Sequence, residues 1–195
     1  MVYASSSSVY GNAPDYPTTE DDLPRPHSPY GVTKLAGEHL CNLYAANWGV
    51  PTMSLRYFTV YGPRQRPDMA FHRLLASMVD GTSFPLYGDG SAVRDFTYVD
   101  DVVDANLRAA DGDCPPGAVV NVAGVSSIAM RDLLALAAEV VGVEPSIDHR
   151  PEQPGDVART GGTVDRAKAV LGWEPSTDLR SGLAAQLEWH RARQA

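Results

Sequence analysis

Apolar and polar positions along the chain follow two periodicities, one typical of strands and one of helices. Residues 1–5 form a short apolar segment that ends in serines, as a buried strand often does. Ser28 and Pro29 suit the cap and the first position of a helix, which runs to about Trp48 and is ended by Gly49. Residues 51–58 predict a second strand. A strand, a helix and a strand in this order predict a parallel sheet.

The predicted helix carries an apolar stripe, and shorter elements follow it. Leu35, His39, Leu40, Leu43 and Tyr44 are spaced for one buried face, so we expect His39 to be a core residue. Beyond residue 63, short helices and strands are mixed, which suits a small domain beside the sheet. The elements predicted there are helices at 69–80, 100–110, 130–141, 165–171 and 179–193, strands at 83–87 and 118–122, and a loop at 150–163.

The charge balance narrows the classes of ligand. The chain has 195 residues and a net charge of −8, with a sequence pI near 5.0. This excess of acidic side chains argues against binding to nucleic acid or to an anionic membrane. Residues 56–94 differ, because they contain five arginines and three aspartates. A local basic patch for an anionic small molecule is therefore expected there.

The cysteines, the histidines and the apolar runs bear on location and metals. Cys41 and Cys114 lie far apart and fit no metal-ligand spacing, so we expect free thiols in a reducing, cytoplasmic location. The five histidines show no metal spacing either, and no metal is predicted. The first residues contain neither a basic nor an apolar leader, and no apolar run approaches the roughly 18 residues of a membrane span.

The spacing of Tyr30 and Lys34 on the predicted helix suggests chemistry. Residues four apart leave the same face of a helix about one turn apart, which places an ammonium near a phenol. A nearby cation stabilises tyrosinate and makes a tyrosine usable as a base near neutral pH. The alternative is a surface tyrosine beside an ion pair between Lys34 and Glu38.

Four segments in order carry a resemblance to a known family. They are residues 5–11 (Ser-Ser-Ser-Ser-Val-Tyr-Gly), 28–34 (Ser-Pro-Tyr-Gly-Val-Thr-Lys), 55–63 (Leu-Arg-Tyr-Phe-Thr-Val-Tyr-Gly-Pro) and 87–96 (Tyr-Gly-Asp-Gly-Ser-Ala-Val-Arg-Asp-Phe). The chain resembles the NAD-dependent epimerase/dehydratase family of nucleotide-sugar enzymes, an extended type of short-chain dehydrogenase. The resemblance extends from residue 1 to about residue 190.

The resemblance implies an α/β fold with two parts. Residues 1–62 would be the C-terminal part of a Rossmann-type parallel sheet that carries the catalytic residues. Residues 63–195 would mainly form a small mixed α/β substrate-binding lid domain, although a strand and a helix at about 100–125 could return to the sheet.

The resemblance also implies roles for residues near the reacting carbon. Tyr30 would be the base that takes the proton of a sugar hydroxyl, and Lys34 would hold the nicotinamide ribose and tune Tyr30. Ser6 would hydrogen-bond the reacting oxygen, with Ser7 beside it near the substrate; the alternative is a serine at a strand end that caps the backbone. Phe58 and Thr59 would lie near the nicotinamide and the substrate.

Further candidates would bind the nucleotide. Arg94 would grip the diphosphate, since a guanidinium binds phosphate oxygens in a bidentate way, unless it pairs with Asp95 or Asp89. By the same resemblance Met69 and Ala70 would present backbone to the nucleotide and Tyr87 would pack on its base, although core packing is an equal alternative for each. In the late loop Arg150 or Gln153 would reach a phosphate. The neighbouring pair Gly162 and Thr163 departs from the family's pattern and puts the following helix cap in doubt.

The residues after Ser6 bear on the reaction. Relatives that eliminate water carry an Asp-Glu pair there, and those that decarboxylate tend to carry a Glu, whereas this chain has Ser7 and Ser8. Without a carboxylate a site can still oxidise and re-reduce a carbinol. We therefore expect a UDP-hexose 4-epimerase that uses NAD and a UDP-sugar or another nucleotide sugar; a dehydratase or decarboxylase is the alternative.

The glycine-rich dinucleotide fingerprint of the family is missing from this sequence. No Gly-x-x-Gly-x-x-Gly follows a strand, and at about 30 residues for each strand-helix unit we expect on the order of 100 residues ahead of this chain. A competing hypothesis is a non-catalytic remnant that binds a nucleotide sugar or a partner protein. The helix at 29–48 resembles the family's dimer helix, so a homodimer is also expected.

Overall fold

The computed structural model describes residues 1–125, 127–152 and 157–193. Within those ranges no helix is long and apolar enough to cross a membrane. The strands are β1 (Val2–Ser6), β2 (Met53–Tyr57), β3 (Thr59–Tyr61), β4 (Ser83–Tyr87), β5 (Val93–Tyr98), β6 (Ala118–Val122), β7 (Ser127–Ala129) and β8 (Ser146–Arg150). The helices are α1 (Pro29–Trp48), α2 (Ala70–Asp80), α3 (Val99–Asp111), α4 (Met130–Val141), α5 (Asp165–Leu171) and α6 (Leu179–Ala192).

A three-stranded parallel sheet in the order β1-β2-β6 organises the first part of the chain. Val2 lies opposite Met53, and Met53 lies opposite Ala118, so the three strands are in register. The parallel pairing predicted from the strand-helix-strand order is confirmed. Strand β6 comes from the block after residue 63, and it completes this sheet by pairing with β2.

The two faces of this sheet differ in chemistry. Successive side chains of a strand point to opposite faces, so the paired strands put alternate residues on each side. One face packs on α3, α5 and Trp173 through apolar side chains such as Met53, Leu55, Val120 and Val122. The other face lies under α1 and presents Ser5, Arg56 and Asn121, all of them buried.

Helix α1 begins and ends as predicted, but its predicted buried face is wrong. The Ser28 hydroxyl accepts a hydrogen bond from the Gly31 N–H at 3.0 Å, and Gly49 ends the helix at φ 63°. Leu40 and Tyr44 are 56% and 51% exposed, Leu43 is also exposed, and His39 lies on the surface instead of in the core. The reason is that the sheet face below α1 is polar. Glu38 and Cys41 turn toward that face in place of the apolar stripe.

The second part of the chain contains two small sheets and three helices around a separate core. Strands β3, β5 and β7 form one sheet, and β4 pairs with β8 in parallel. The core between these sheets and α2, α4 and α6 includes Tyr61, Phe71, Leu74, Phe96, Leu133 and Leu183. The predicted helices and the strand at 83–87 are confirmed, whereas β3, β5, β7 and β8 were not predicted. These four are short, or carry charged residues, and their apolar runs give little signal.

Candidate active site

The end of β1 brings a group of serines to the carboxyl edge of the sheet. Ser6 is the last residue of the strand, and residues 7–9 form a turn of 3-10 helix. The Ser6 hydroxyl accepts a hydrogen bond from the Ser8 N–H at 3.1 Å and lies 3.1 Å from the Ser8 hydroxyl. Ser6 therefore does cap the backbone, as the structural alternative requires. That contact still leaves its side chain on the wall of a cavity.

Helix α1 places Tyr30 and Lys34 beside this strand end. The Lys34 ammonium donates a hydrogen bond to the Ala4 carbonyl oxygen at 2.8 Å. It lies 5.5 Å from the ring centre of Tyr30 and 5.5 Å from that of Tyr3. The alternative of a surface tyrosine beside an ion pair is half right: Tyr30 is 55% exposed, but the Glu38 carboxylate binds the Arg56 guanidinium and not Lys34. The ammonium is thus held between β1 and the phenol of Tyr30.

A cavity of about 720 Å³ joins the two parts of the chain. Ser6, Ser7 and Tyr30 line it from the end of β1, the 3-10 turn and α1, respectively. Phe58 lines it from between β2 and β3, Thr59 from β3, and Met69 from the position before α2. Five of the lining residues come from the turn at 62–66, including Arg64 and Arg66. The sequence pattern places these arginines in a basic region but does not assign them to the site. Their Arg-Gln-Arg spacing after Gly62 and Pro63 was the available signal.

A second cavity, of about 230 Å³, is lined by three of the residues predicted to bind the nucleotide. Ala70, Tyr87 and Arg94 line it, and Thr59 lines both cavities. One Arg94 nitrogen, Nη1, donates to the Val93 carbonyl at 2.9 Å. The two cavities therefore meet at Thr59.

Of the two candidates in the late loop, the one that the structure describes does not line either cavity. Arg150 lies opposite Tyr87 across the β4–β8 pair, and Asp148 holds its guanidinium at 2.8 Å. Arg150 is absent from the described residues that line either cavity. Gln153 lies outside the described residues.

A buried polar network lies beneath α1 and was not found from the sequence. The Arg56 guanidinium binds the Glu38 carboxylate with two hydrogen bonds of 2.9 and 2.7 Å, and the Ser5 hydroxyl donates to that carboxylate at 2.5 Å. Arg56 also donates to the Tyr10 hydroxyl at 2.9 Å. Burial raises the pKa of Tyr10 to about 12, although Arg56 opposes this. The neutral Tyr10 hydroxyl can therefore donate in turn to the Asn121 amide oxygen, at 2.7 Å.

This network ties α1 to all three strands of the sheet. Ser5 belongs to β1, Arg56 to β2 and Asn121 to β6, while Glu38 belongs to α1. Because the Arg56 guanidinium is buried and paired with Glu38, it contributes nothing to the basic patch predicted at 56–94. Arg64 and Arg66 line the larger cavity, where Arg66 is paired with Asp68 at 3.0 Å, and Arg73 and Arg94 line the second cavity.

Phe58 forms part of the cavity wall and is backed by Gly162. Phe58 is buried, and a Cβ atom added at Gly162 would overlap its ring. The cap of the following helix is weak, as the departure at Gly162 and Thr163 suggests: Val164 stands at the cap position of α5 and makes no side-chain hydrogen bond. Close approach to Phe58 accounts for glycine at position 162.

The arrangement combines a phenol, a nearby ammonium and a serine hydroxyl at one end of a parallel sheet. The carboxyl ends of strands are where α/β sheets usually bind ligands. A phenol beside a cation can exchange a proton with a substrate hydroxyl, and a serine hydroxyl can hydrogen-bond the same oxygen. The site therefore has the groups needed for proton transfer to and from an alcohol.

Solved structures of similar proteins cover nearly all of this chain. MoeE5 in complex with UDP-glucuronic acid and NAD is 45% identical with a TM-score of 0.94, over 98% of this chain and 64% of that one. The UDP-glucuronic acid 4-epimerase from Bacillus cereus, in complex with UDP-glucuronic acid and NAD, is 39% identical with a TM-score of 0.94, over 98% of this chain and 61% of that one. The α/β, Rossmann-type fold class is therefore confirmed.

Sequence relatives and a family model agree with this likeness. The protein named "Uncharacterized UDP-glucose epimerase YtcB" of Bacillus subtilis is 37% identical over 97% of this chain and 60% of its own length. The chain thus spans about 60% of the length of this curated relative and 63% of a further one. The model of the NAD dependent epimerase/dehydratase family matches residues 1–123. The chain belongs to the NAD dependent epimerase/dehydratase family.

Proposed function

We propose that this chain forms the catalytic and substrate-binding portion of an NAD-dependent UDP-sugar 4-epimerase. The observation that carries the proposal is that Ser6 and Tyr30 line one cavity while the Lys34 ammonium lies 5.5 Å from the Tyr30 ring centre. The names of the similar proteins, which include a UDP-glucose epimerase and a UDP-glucuronic acid 4-epimerase, support it.

Each of the three side chains has a role in the proposed reaction. When bound, NAD supplies the reversible acceptance of hydride from the C4 carbon. Tyr30 takes the proton of the 4-hydroxyl as that carbon is oxidised and returns it when the carbon is reduced again. The Lys34 ammonium lies beside the Tyr30 ring, and the Ser6 hydroxyl hydrogen-bonds the reacting oxygen. Of the cofactor-binding candidates, Phe58 is proposed to pack near the nicotinamide.

The chemistry of the cavity favours epimerisation over elimination of water. Elimination requires an acid and a base besides the tyrosine. Among the described residues that line the larger cavity, no aspartate or glutamate occurs, and Ser7 and Ser8 stand next to Ser6. A reversible oxidation and reduction needs no such carboxylate, because Tyr30 transfers the proton and NAD, when bound, would accept and return the hydride.

The substrate proposed is a UDP-hexose or UDP-hexuronic acid. Arg64 and Arg66 line the larger cavity together with hydroxyl groups, a combination that suits an anionic or strongly polar sugar. In the smaller cavity Ala70, Tyr87 and Arg94 are proposed to hold the nucleotide, with Met69 next to them. Arg150 and Gln153 stay proposals for a phosphate contact from the late loop.

We also propose a homodimer that is formed through α1. Leu40, Leu43, Tyr44 and Trp48 are exposed on one side of this helix, and the rings of Tyr44 and Trp48 lie 4.8 Å apart. An apolar helix face of this kind is better covered by a second copy than left in water. Sedimentation should give twice the chain mass, and Leu43→Glu should give the single chain.

A cytoplasmic location is a further part of the proposal. Cys41 and Cys114 are both free cysteines, the first buried and the second half-buried. Free thiols persist in reducing compartments. Fractionation of cells that express the tagged chain would test this, and recovery of the chain outside the cytoplasm would contradict it.

Epimerisation assays with UDP-glucuronic acid and UDP-glucose in the presence of NAD test the proposal. They compare this chain alone with the chain joined behind the corresponding N-terminal portion of the Bacillus cereus enzyme. Tyr30→Phe should lower the rate about 100-fold to 10,000-fold, because the proton acceptor is removed. Tyr16→Phe is the matched control, since the Tyr16 hydroxyl contacts only the Arg159 carbonyl among the described hydrogen bonds.

Two outcomes would contradict the proposal. One is an absence of epimerisation in both preparations, and the other is an equal rate for Tyr30→Phe and Tyr16→Phe. The non-catalytic alternative predicts that calorimetry with UDP and NAD detects binding of the nucleotide while the epimerisation assays detect no turnover.

A further inference from the structure

We infer that Gln186, on helix α6, positions the turn at residues 62–66 that carries Arg64 and Arg66 into the larger cavity. Gln186 is fully buried and is absent from the described residues that line that cavity. It therefore acts on the site through other residues. The inference rests on the proposed function, because the turn matters only if a nucleotide sugar occupies the cavity.

The Gln186 carboxamide bridges two residues of the turn. Its oxygen accepts the Gly62 N–H at 2.9 Å, and its nitrogen donates to the Gln65 side-chain oxygen at 3.1 Å. The two contacts lie on either side of Arg64. A buried side chain that uses both its donor and its acceptor in this way fixes the separation of the two groups that it joins.

Gln65 extends this bridge to a strand and a second helix. Its side-chain nitrogen donates to the Val60 carbonyl of β3 at 2.8 Å. Its side-chain oxygen accepts the His72 N–H of α2 at 2.9 Å. One pair of carboxamides thus connects α6, the turn, β3 and α2.

The backbone of the turn needs such support. Arg64 has a φ of 67°, and Gly62 has a φ of 133°. The left-handed region costs a non-glycine residue about 1–2 kcal/mol, so it persists where neighbouring contacts determine it. The direct backbone bond across the turn, from the Gln65 N–H to the Gly62 carbonyl, is 3.2 Å long. The Gln186 bridge adds two further hydrogen bonds around the same strained residue.

Helix α6 is attached to the core independently of Gln186. Leu183 and Leu187 are buried in the apolar core, and a Cβ atom added at Gly182 would overlap the Tyr61 side chain. A substitution of Gln186 that keeps its volume should therefore leave α6 in place. Gln186→Met has this property, since methionine is similar in length and forms neither hydrogen bond.

Hydrogen exchange of the Gly62 amide measures the bridge directly. In Gln186→Met we expect this amide to exchange at least about tenfold faster than in the unsubstituted chain, because its acceptor is lost. Glu188→Gln on the exposed side of α6 is the matched control and should leave the exchange unchanged. Unchanged exchange at Gly62 in Gln186→Met would overturn the inference.

Calorimetry with UDP and with UDP-glucuronic acid separates positioning from a general loss of stability. Since the arginines of the turn lie in the larger cavity, Gln186→Met should raise the Kd for UDP-glucuronic acid about fivefold to tenfold while the Kd for UDP changes less than about twofold. Leu183 is fully buried, so Leu183→Ala should lower the free energy of unfolding through lost core packing. It should not raise the Kd for UDP-glucuronic acid more than the Kd for UDP.

The outcomes distinguish this inference from the proposed function. Equal changes of the two Kd values in Gln186→Met, or the same selectivity in Leu183→Ala, would overturn the positioning role. If the unsubstituted chain binds neither UDP nor UDP-glucuronic acid, the proposed function fails, and exchange at Gly62 still decides whether Gln186 holds the turn.

Discussion

The two faces of the β1-β2-β6 sheet hold their helices by different means. On one face Leu55 and Val120 pack with α3 and Trp173 in an apolar core. On the other face α1 is held by the Glu38–Arg56 pair. Apolar contacts stabilise without strong directional preference, whereas paired hydrogen bonds fix one geometry. The comparison indicates that the helix with Tyr30 and Lys34 is the one placed by directional contacts.

The largest expected effect comes from breaking the polar face. Glu38→Ala leaves the Arg56 guanidinium buried without its carboxylate, and the side chains of this pair are 5% and 3% exposed. Removing one partner of such a pair costs about 3–5 kcal/mol. Urea unfolding should show a loss of this size in the free energy of unfolding.

The double variant Glu38→Leu with Arg56→Met is the control for this prediction. Replacing both charges by apolar side chains of similar size should restore much of the stability, because no charge is left stranded. A double variant as unstable as Glu38→Ala would mean that the loss does not come from the unpaired charge.

A second prediction concerns the apolar face. Leu55 is fully buried, so Leu55→Ala should lower the free energy of unfolding by about 2–5 kcal/mol through lost burial and the cavity left behind. Ser54, the preceding residue, points to the opposite face, and among the described residues its buried hydroxyl has no hydrogen-bond partner.

Ser54→Ala therefore serves as the control for Leu55→Ala. Removing an unsatisfied buried hydroxyl should leave the free energy of unfolding unchanged or raise it. A loss in Ser54→Ala as large as that in Leu55→Ala would contradict the assignment of the two faces.

The smallest expected effect concerns Asp95, a buried carboxylate held differently from Glu38. Its oxygen accepts the Gly124 N–H at 2.6 Å. Burial raises the pKa of Asp95 to about 7, although the N–H groups of Gly124 and Gly162 oppose it. The folded state therefore binds a proton more tightly than the unfolded chain, whose aspartates titrate near about 3.9.

This difference gives a pH dependence with a definite sign. As the pH falls from 8 to 5, the unsubstituted chain should gain free energy of unfolding relative to Asp95→Asn, by less than about 1.4 kcal/mol per pH unit. Urea unfolding of both chains across this range measures the difference. A constant difference, or one that shrinks toward pH 5, would show that Asp95 does not titrate as described.

Much of the fold follows from local signals in the sequence. Ser28, Pro29 and Gly49 mark α1 because caps and left-handed endings depend on single residues. The exposure of Leu40 and the burial of Glu38 could not be predicted in the same way. The burial of Glu38 depends on its pairing with Arg56 from the next strand, β2. The exposure of Leu40 depends on the outer side of the helix, which the proposed second copy would cover.

The candidate site likewise contains some features that local sequence patterns predict and others that depend on residues distant in the chain. Ser6 and Tyr30 line the same cavity because a strand end and the start of the following helix lie at the same edge of a parallel sheet, which the sequence pattern predicts. Gln186 meets Gly62 across 124 positions of the chain. No local sequence pattern predicts such a contact, since the buried position that Gln186 occupies on α6 would suit an apolar residue equally well. The roles assigned to the site residues stay predictions until they are assayed.

The contact between Gly162 and Phe58 constrains any redesign of this chain. The phenyl ring fills the space that a side chain at position 162 would need. Libraries that vary the late loop should therefore keep position 162 as glycine, because a side chain there would displace the Phe58 ring even when the rest of the new loop suits its intended ligand.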